Sequence, residues 1–191
     1  MTRFMTRSTT PSTPRSILQL ILACCFALLS LQAQAADAVT RNSNMVALGL
    51  PTVAAGLSWL NNDTEGLVQL VKSEAVTIGI VEVLKSTTHE MRPNGKDDKS
   101  FPSAHSAVAF SAAQYMQMKG GWEYGVPAYL AASYVAWARV DAREHRWRDV
   151  AAGAATGALT TYYFTDANTG RRLGLSWSGR SAMLQYQQPL N

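Results

Sequence analysis

The stretch that decides the fold is Arg139–Leu159, RVDAREHRWRDVAAGAATGAL. Its first half is crowded with charge, from Arg139 to Asp149. Its second half, Val150–Ala158, is almost wholly Ala and Gly. Such a switch reads as a polar connection feeding a helix whose small residues let neighbouring helices come close, in lipid or in a tight soluble bundle. His145 and Asp149 stand four apart, so with a helix starting near them they share a face, and Asp149 accepts a hydrogen bond from one ring nitrogen of His145.

Outward from this segment, apolar stretches recur at Met45–Leu60, Ala75–Leu84, Ala104–Met118 and Tyr124–Ala138, and Val150–Phe164 completes the set. Turn signals separate them: Asn61-Asn62-Asp63, the run Arg92–Phe101 with Pro93-Asn94-Gly95, Lys119-Gly120-Gly121, and Asp166–Gly170. The expectation is an all-α protein, a bundle of about five to six helices. Met45–Leu60, Tyr124–Ala138 and Val150–Phe164 fall short of the roughly 20 residues a membrane span needs, and Lys72, Glu74 and Glu82 interrupt the region before Lys85. The tail after Arg171 alternates Leu173, Leu175 and Trp177 with small residues before a second extended stretch, Met183–Gln187, and reads as a short irregular segment or hairpin lying as a flap over the bundle.

The N-terminus changes the charge arithmetic. Arg3, Arg7 and Arg15 precede the apolar run Ile17–Leu31, and Ala33-Gln34-Ala35 offers small residues at a cleavage site. The expectation is a signal peptide over residues 1–35, a main domain over 36–165 and a C-terminal tail over 166–191. A lipoprotein-type site at Ile21–Cys24 and an uncleaved anchor are the other readings of this start. Of the 191 residues 17 are Lys or Arg and 13 are Asp or Glu, giving a net charge of +4. Three of those Arg lie in the signal, so the basic excess nearly vanishes after cleavage, and with it the composition-level case for a nucleic-acid partner. Cys24 and Cys25, the chain's two cysteines, leave too. An exported chain without cysteine has neither disulfide staples nor a thiolate nucleophile.

Three segments at predicted helix ends hold nearly all the unusual polar residues: Lys85–Pro93, Phe101–His105 and Arg139–Asp149. His145, oriented by Asp149, has a second nitrogen free to attack an electrophile such as phosphorus. His105, in the first turn of its helix, is placed to protonate an alkoxide leaving group. Lys85, Arg92 and Arg139 supply cationic donors for a transferring phosphoryl group, and Ser103, with the backbone N–H groups of its helix start at Ala104, adds more.

Joined in this order, the segments resemble the signature of the type 2 phosphatidic acid phosphatase and vanadium-dependent haloperoxidase superfamily, K-x6-RP, PSGH and SR-x5-H-x3-D. Lys85, Arg92 and Pro93 fit the first motif, Pro102, Ser103 and His105 the second, and Arg139, His145 and Asp149 the third. Ala104 replaces the usual Gly and Ala138 the usual Ser. The resemblance implies His145 as a nucleophile forming a phosphohistidine, Asp149 as its orienting partner and His105 as general acid. It makes Lys85, Arg92, Ser103 and Arg139 the phosphate cradle, with the Ala104 N–H kept, and it implies no metal or other cofactor. His89 lies inside the first motif but is not a signature position; it reads as structural or as a contact on the substrate side.

The implied function is a phosphatase of the cell envelope, membrane-associated and facing the periplasm. Its substrate would be a lipid phosphate, such as phosphatidic acid, phosphatidylglycerol phosphate, undecaprenyl diphosphate or the phosphates of lipid A. A soluble periplasmic acid phosphatase acting on small phosphomonoesters is the main alternative. Vanadate-dependent halide oxidation, with vanadate in the cradle, and a non-catalytic envelope protein complete the set.

Overall fold

A computed structural model describes residues 38–166 in full and the backbone of 172–177 and 182–187. The expected signal peptide lies outside the described residues. Five helices follow in order: α1 (Ala38–Leu60), α2 (Thr64–Thr88), α3 (Ala104–Gly120), α4 (Trp122–Asp141) and α5 (Trp147–Phe164). The backbone of the tail forms an antiparallel hairpin of β1 (Arg172–Trp177) and β2 (Ala182–Gln187), with Leu173 opposite Tyr186 and Leu175 opposite Leu184. The expected all-α bundle and hairpin are both present. Whether the tail is a flap depends on side chains outside the described residues.

Each expected helix forms, and α2 is far longer than the apolar run Ala75–Leu84 suggests. Lys72, Glu74 and Glu82 do not interrupt it, because Lys and Glu are good helix formers; charge interrupts burial, not helicity. Asp63 caps its start by accepting from the Gly66 N–H at 2.8 Å. Its end is closed at His89, in the left-handed region at φ 47°, whose N–H reaches back to the Lys85 carbonyl.

α3 packs against α2, α4 and α5 and so forms the centre of the bundle. Its buried side chains are small: Ala107, Ala109, Ala112 and Ala113, with Tyr115 and Met116 nearer its end. Ala47, Leu50 and Ala54 of α1 and Ala128, Ala132 and Val135 of α4 complete the same core. A core of this kind gains little from each side chain and depends on close helix approach.

The approach is closest between α3 and α5. A Cβ on Gly153 would clash with the Ser103 carbonyl oxygen, and one on Gly157 with that of Ala107. The two glycines lie one turn apart on α5, as the two carbonyls do on α3, so the backbones meet along a seam rather than at a point. The seam runs to the α3 start, where the Ser103 N–H donates to the Asp149 carbonyl at 3.0 Å. Large apolar side chains, among them Leu48, Trp59, Val71, Leu130 and Tyr163, remain exposed on the outer faces. Among the described residues α1 is the one helix long and apolar enough to cross a membrane by length and composition.

Gly157→Ala should lower the unfolding free energy by about 1–3 kcal/mol, the usual cost of overpacking. Gly79→Ala on α2, where a Cβ meets nothing within 4 Å, should be neutral or stabilise by about 0.5–1 kcal/mol. Paired urea titrations check the contrast; equal effects would remove the seam from the account.

Candidate active site

The ends of α2 and α4 and the starts of α3 and α5 gather at one end of the bundle, joined by the segments 89–103 and 142–146. Lys85 is in the last turn of α2, His105 in the first turn of α3 and Arg139 in the last turn of α4. Arg92 comes from the 89–103 segment, while His145 and Asp149 flank the start of α5. The charges of Lys85, Arg92 and Arg139 act on both His105 and His145, so the helix ends place all five groups about one centre.

His145 is 2% exposed, and its Nδ1 is 2.7 Å from the Ser100 carbonyl oxygen. A carbonyl only accepts, so in the neutral ring Nδ1 carries the proton and Nε2 is left with its lone pair. The sequence-based expectation that Asp149 takes this hydrogen bond is corrected here. Asp149 Oδ2 is 3.9 Å from Nδ1 and instead accepts from the Ser100 hydroxyl at 2.6 Å and the Arg146 N–H at 2.8 Å. The four-residue rule assumes that both residues are helical, but α5 begins at Trp147, and His145 precedes its cap, Arg146. Asp149 is fully buried and acts on His145 through Ser100, whose hydroxyl binds the carboxylate while its carbonyl binds the ring.

Lys85 is buried and its Nζ donates to the Lys99 carbonyl at 3.3 Å. Burial, with Arg92 second, pushes its pKa down. Arg139 is 5% exposed and donates from Nη1 to Asn44 Oδ1 of α1 at 2.9 Å; its Nε is buried with no hydrogen-bond partner. Arg92 donates from Nε to Asp97 at 2.7 Å and from Nη1 to Glu144. Ser103 is fully buried and caps α3 by accepting from the Ser106 N–H, which leaves its own proton for another acceptor. The first bond of α3 runs from the Ala107 N–H to the Ser103 carbonyl. The N–H groups of Ala104 and His105 therefore precede the helix ladder and have no partner within it.

Burial, followed by the charge of Arg139, lowers the His105 pKa from 6.5 to about 4. Burial, followed by Arg92, does the same to His145, also to about 4. Both imidazoles are neutral at neutral pH. His89 lies apart, at the surface, with Nδ1 2.9 Å from Asp98. Among the described residues no three His, Cys, Asp or Glu side chains cluster so as to hold a metal ion.

Four contributors were not read from the sequence: Ser100, Glu144, Asp97 and Asn44. Ser100 and Asp97 lie between motifs, and Asn44 comes from a helix with no motif. Glu144 stands beside His145 in the decisive segment, but no motif position falls on it.

A helical bundle with three cationic side chains, helix-start N–H groups outside the ladder and a neutral imidazole gathered at one end has a donor set that suits a tetrahedral oxyanion. The PAP2 superfamily matches residues 66–172, and the chain belongs to that family. It is 35% identical over 85 residues to a lipid A 1-phosphatase of Porphyromonas gingivalis, covering 42% of this chain and 19% of that protein. It is 30% identical over 127 residues to a lipid A 4'-phosphatase of Helicobacter pylori, covering 61% of this chain and 64% of that one. The chain thus spans less than two thirds of either relative. The crystal structure of Aquifex aeolicus LpxE superposes with a TM-score of 0.51 at 20% identity, over 62% of this chain and 82% of that one, a likeness of fold.

Two outcomes follow for the His145 surroundings. Ser100→Ala should destabilise the protein by about 1.5–3 kcal/mol, the range for a hydrogen bond to a charged group, as read by urea unfolding. The second concerns pH. His105 takes up a proton near pH 6.5 when unfolded but only near pH 4 when folded, so the unfolded chain binds more protons between these values. Its contribution to stability is complete above pH 6.5 and is lost as the pH falls towards 4. The stability difference between wild type and His105→Gln should hold level above pH 6.5 and fall by at least about 1.4 kcal/mol, one pKa unit, on acidification to pH 4.

Proposed function

We propose that the protein is an envelope phosphatase that hydrolyses phosphomonoesters borne on a lipid, through a phosphohistidine at His145. The observation that carries this reading is the lock of His145 Nδ1 on the Ser100 carbonyl, which leaves a bare Nε2 beside three cations. Lys85, Arg92 and Arg139, with the Ser103 hydroxyl and the N–H groups of Ala104 and His105, hold the phosphoryl oxygens. The His145 Nε2 lone pair forms the N–P bond as the P–O bond to the alcohol breaks, and His105 protonates the departing oxygen. Water then forms the second P–O bond, His105 takes its proton, the N–P bond breaks and inorganic phosphate leaves. Every step uses the chain's own residues.

His105 is neutral in the empty site, yet the first step needs its proton. Burial and then the cations hold its pKa down, and a bound phosphate dianion offsets the cations and attracts the proton, so substrate itself charges the acid. Asp149 stays behind Ser100, stabilising the imidazolium-like charge that forms on His145 as it attacks.

The names of the two relatives support a phosphorylated sugar lipid of the lipid A kind as substrate. The exposed apolar side chains of α1, α2, α4 and α5 support a membrane-associated enzyme, and the apolar run after Arg15 supports export with a periplasm-facing site. A soluble periplasmic phosphatase acting on small esters rests on the charged residues of α2, Lys72, Glu74 and Glu82.

The test uses a mixed panel of lipid A phosphates, phosphatidic acid, glycerol phosphate and p-nitrophenyl phosphate. His145→Ala should lose at least about 10³-fold in turnover on all of them with unchanged thermal unfolding. His105→Asn should lose about 10²–10⁴-fold on alkyl esters and far less on p-nitrophenyl phosphate, whose leaving group needs no proton. Activity that stays with washed membranes and prefers the lipids supports the reading; full turnover by His145→Ala, or a soluble enzyme preferring small esters, overturns it.

A further inference from the structure

Glu144 has no part in the chemistry above, yet it sits in the middle of the cradle. Its side chain is 11% exposed and meets three cations: Oε2 pairs with Arg92 Nη1 and lies 3.5 Å from Arg139 Nη2, while Oε1 accepts from Lys96 Nζ at 3.0 Å. Its backbone N–H donates to the Arg139 carbonyl, as does that of His145, so the carboxylate is carried on the same tight turn as the nucleophile. Its negative charge also reaches His105.

We propose that Glu144 is an internal competitor that sets the affinity of the cradle: its carboxylate holds the anion position between Arg92 and Arg139 in the empty site, and a substrate phosphate must displace it. The inference rests on the phosphatase reading of the cradle and deepens it. A carboxylate and a phosphate oxygen bind guanidinium in the same bidentate manner, so the two compete for the same donors. Burial works to raise the Glu144 pKa, but the Lys96 bond and the charges of Arg139 and Arg92 outweigh it and hold the carboxyl below its usual range. It therefore competes as an anion even in mild acid.

The geometry provides for displacement. Oε2 faces the two buried arginines, whereas Oε1 faces Lys96, whose side chain is 68% exposed on the 89–103 segment. Rotation about the Glu144 side chain surrenders the arginines and keeps the lysine, which holds the displaced carboxylate at the rim. An anion whose only binding energy comes from the cradle meets the full competition. A phosphate attached to a larger body recovers the loss through contacts elsewhere. Glu144 thereby weakens the hold of the cradle on every phosphate by the same factor, free orthophosphate, the product, included, and only a phosphate with contacts elsewhere still binds tightly.

The experiment measures inhibition by orthophosphate and orthovanadate, together with KM and kcat on lipid A phosphate and on glycerol phosphate, for the full chain. Glu144→Gln should tighten both inhibitors by about tenfold or more and lower KM for glycerol phosphate and for the lipid by similar factors. Lys96→Ala removes the rim partner and should act in the opposite sense, weakening both inhibitors. The double variant should behave like Glu144→Gln, because Lys96 acts only through the carboxylate. Weaker inhibition in Glu144→Gln would make Glu144 a brace for the arginines and overturn the proposal, and if that variant does not fold, Lys96→Ala still gives the sign. Should neither wild type nor Glu144→Gln bind orthophosphate or orthovanadate while the lipid is turned over, the proposal fails and the hydrolysis reading stands; should turnover be absent as well, the phosphatase reading fails with it.

Discussion

Everything at the site follows from how closely α5 lies on α3. Gly153 and Gly157 let the α3 backbone come within contact of the α5 backbone, and the seam ends where the Ser103 N–H meets the Asp149 carbonyl. That bond sets the start of one helix against the start of the other. The N–H groups of α3, the His145 ring ahead of α5 and the carboxylate in its first turn thus share one small volume. A larger side chain in the seam would separate the helices and open the site from beneath. The Ala-rich core serves the same end, trading side-chain burial for positional accuracy of backbone groups.

The second constraint is electrostatic. Bringing Lys85, Arg92 and Arg139 out of water beside two histidines costs free energy, and the structure relieves it in two ways. The imidazoles are kept neutral, and acidic side chains are set against the arginines: Asp97 on Arg92, and Glu144 on both Arg92 and Arg139. The consequence is that the two arginines are never without an anion. Whatever anion enters must exceed what Glu144 already gives them, and the affinity of the cradle is a difference rather than a sum.

The five helices and the three polar segments were legible because period, turn residues and clustered charge are local signals. α2 is longer than its apolar run because Lys72 and Glu82 continue the helix at exposed positions, while Glu74 continues it with its carboxylate oxygens buried. The site residues named from the sequence come together, but the link between His145 and Asp149 was misread. Spacing alone does not reveal that Arg146 caps α5 and leaves His145 outside it, nor that Ser100, some 45 residues earlier, inserts between them. Asn44 gave no signal at all, since its role depends on how α1 packs beside α4.

The two ends of the bundle divide the work. At the far end the turns are minimal: Gly121 alone separates α3 from α4, and Asn61–Asp63 joins α1 to α2 under the Asp63 cap. Neither of these two turns is long enough to vary without moving a helix. At the site end the 89–103 segment is held by the Arg92–Asp97 side-chain bond and by backbone bonds from the Asn94 N–H to the Arg143 carbonyl and from the Ser100 N–H to the Glu90 carbonyl. In the proposed reaction Lys85, His105 and Arg139 sit on helix ends, whereas Arg92, His145 and its partner Ser100 stand on the same two connections as Lys96, Asp97 and Glu144. The groups proposed to set phosphate affinity and those proposed to react therefore share the 89–103 and 142–146 segments, and because Asp97 and Glu144 pair directly with Arg92 and Arg139, a change in the first is felt by the second.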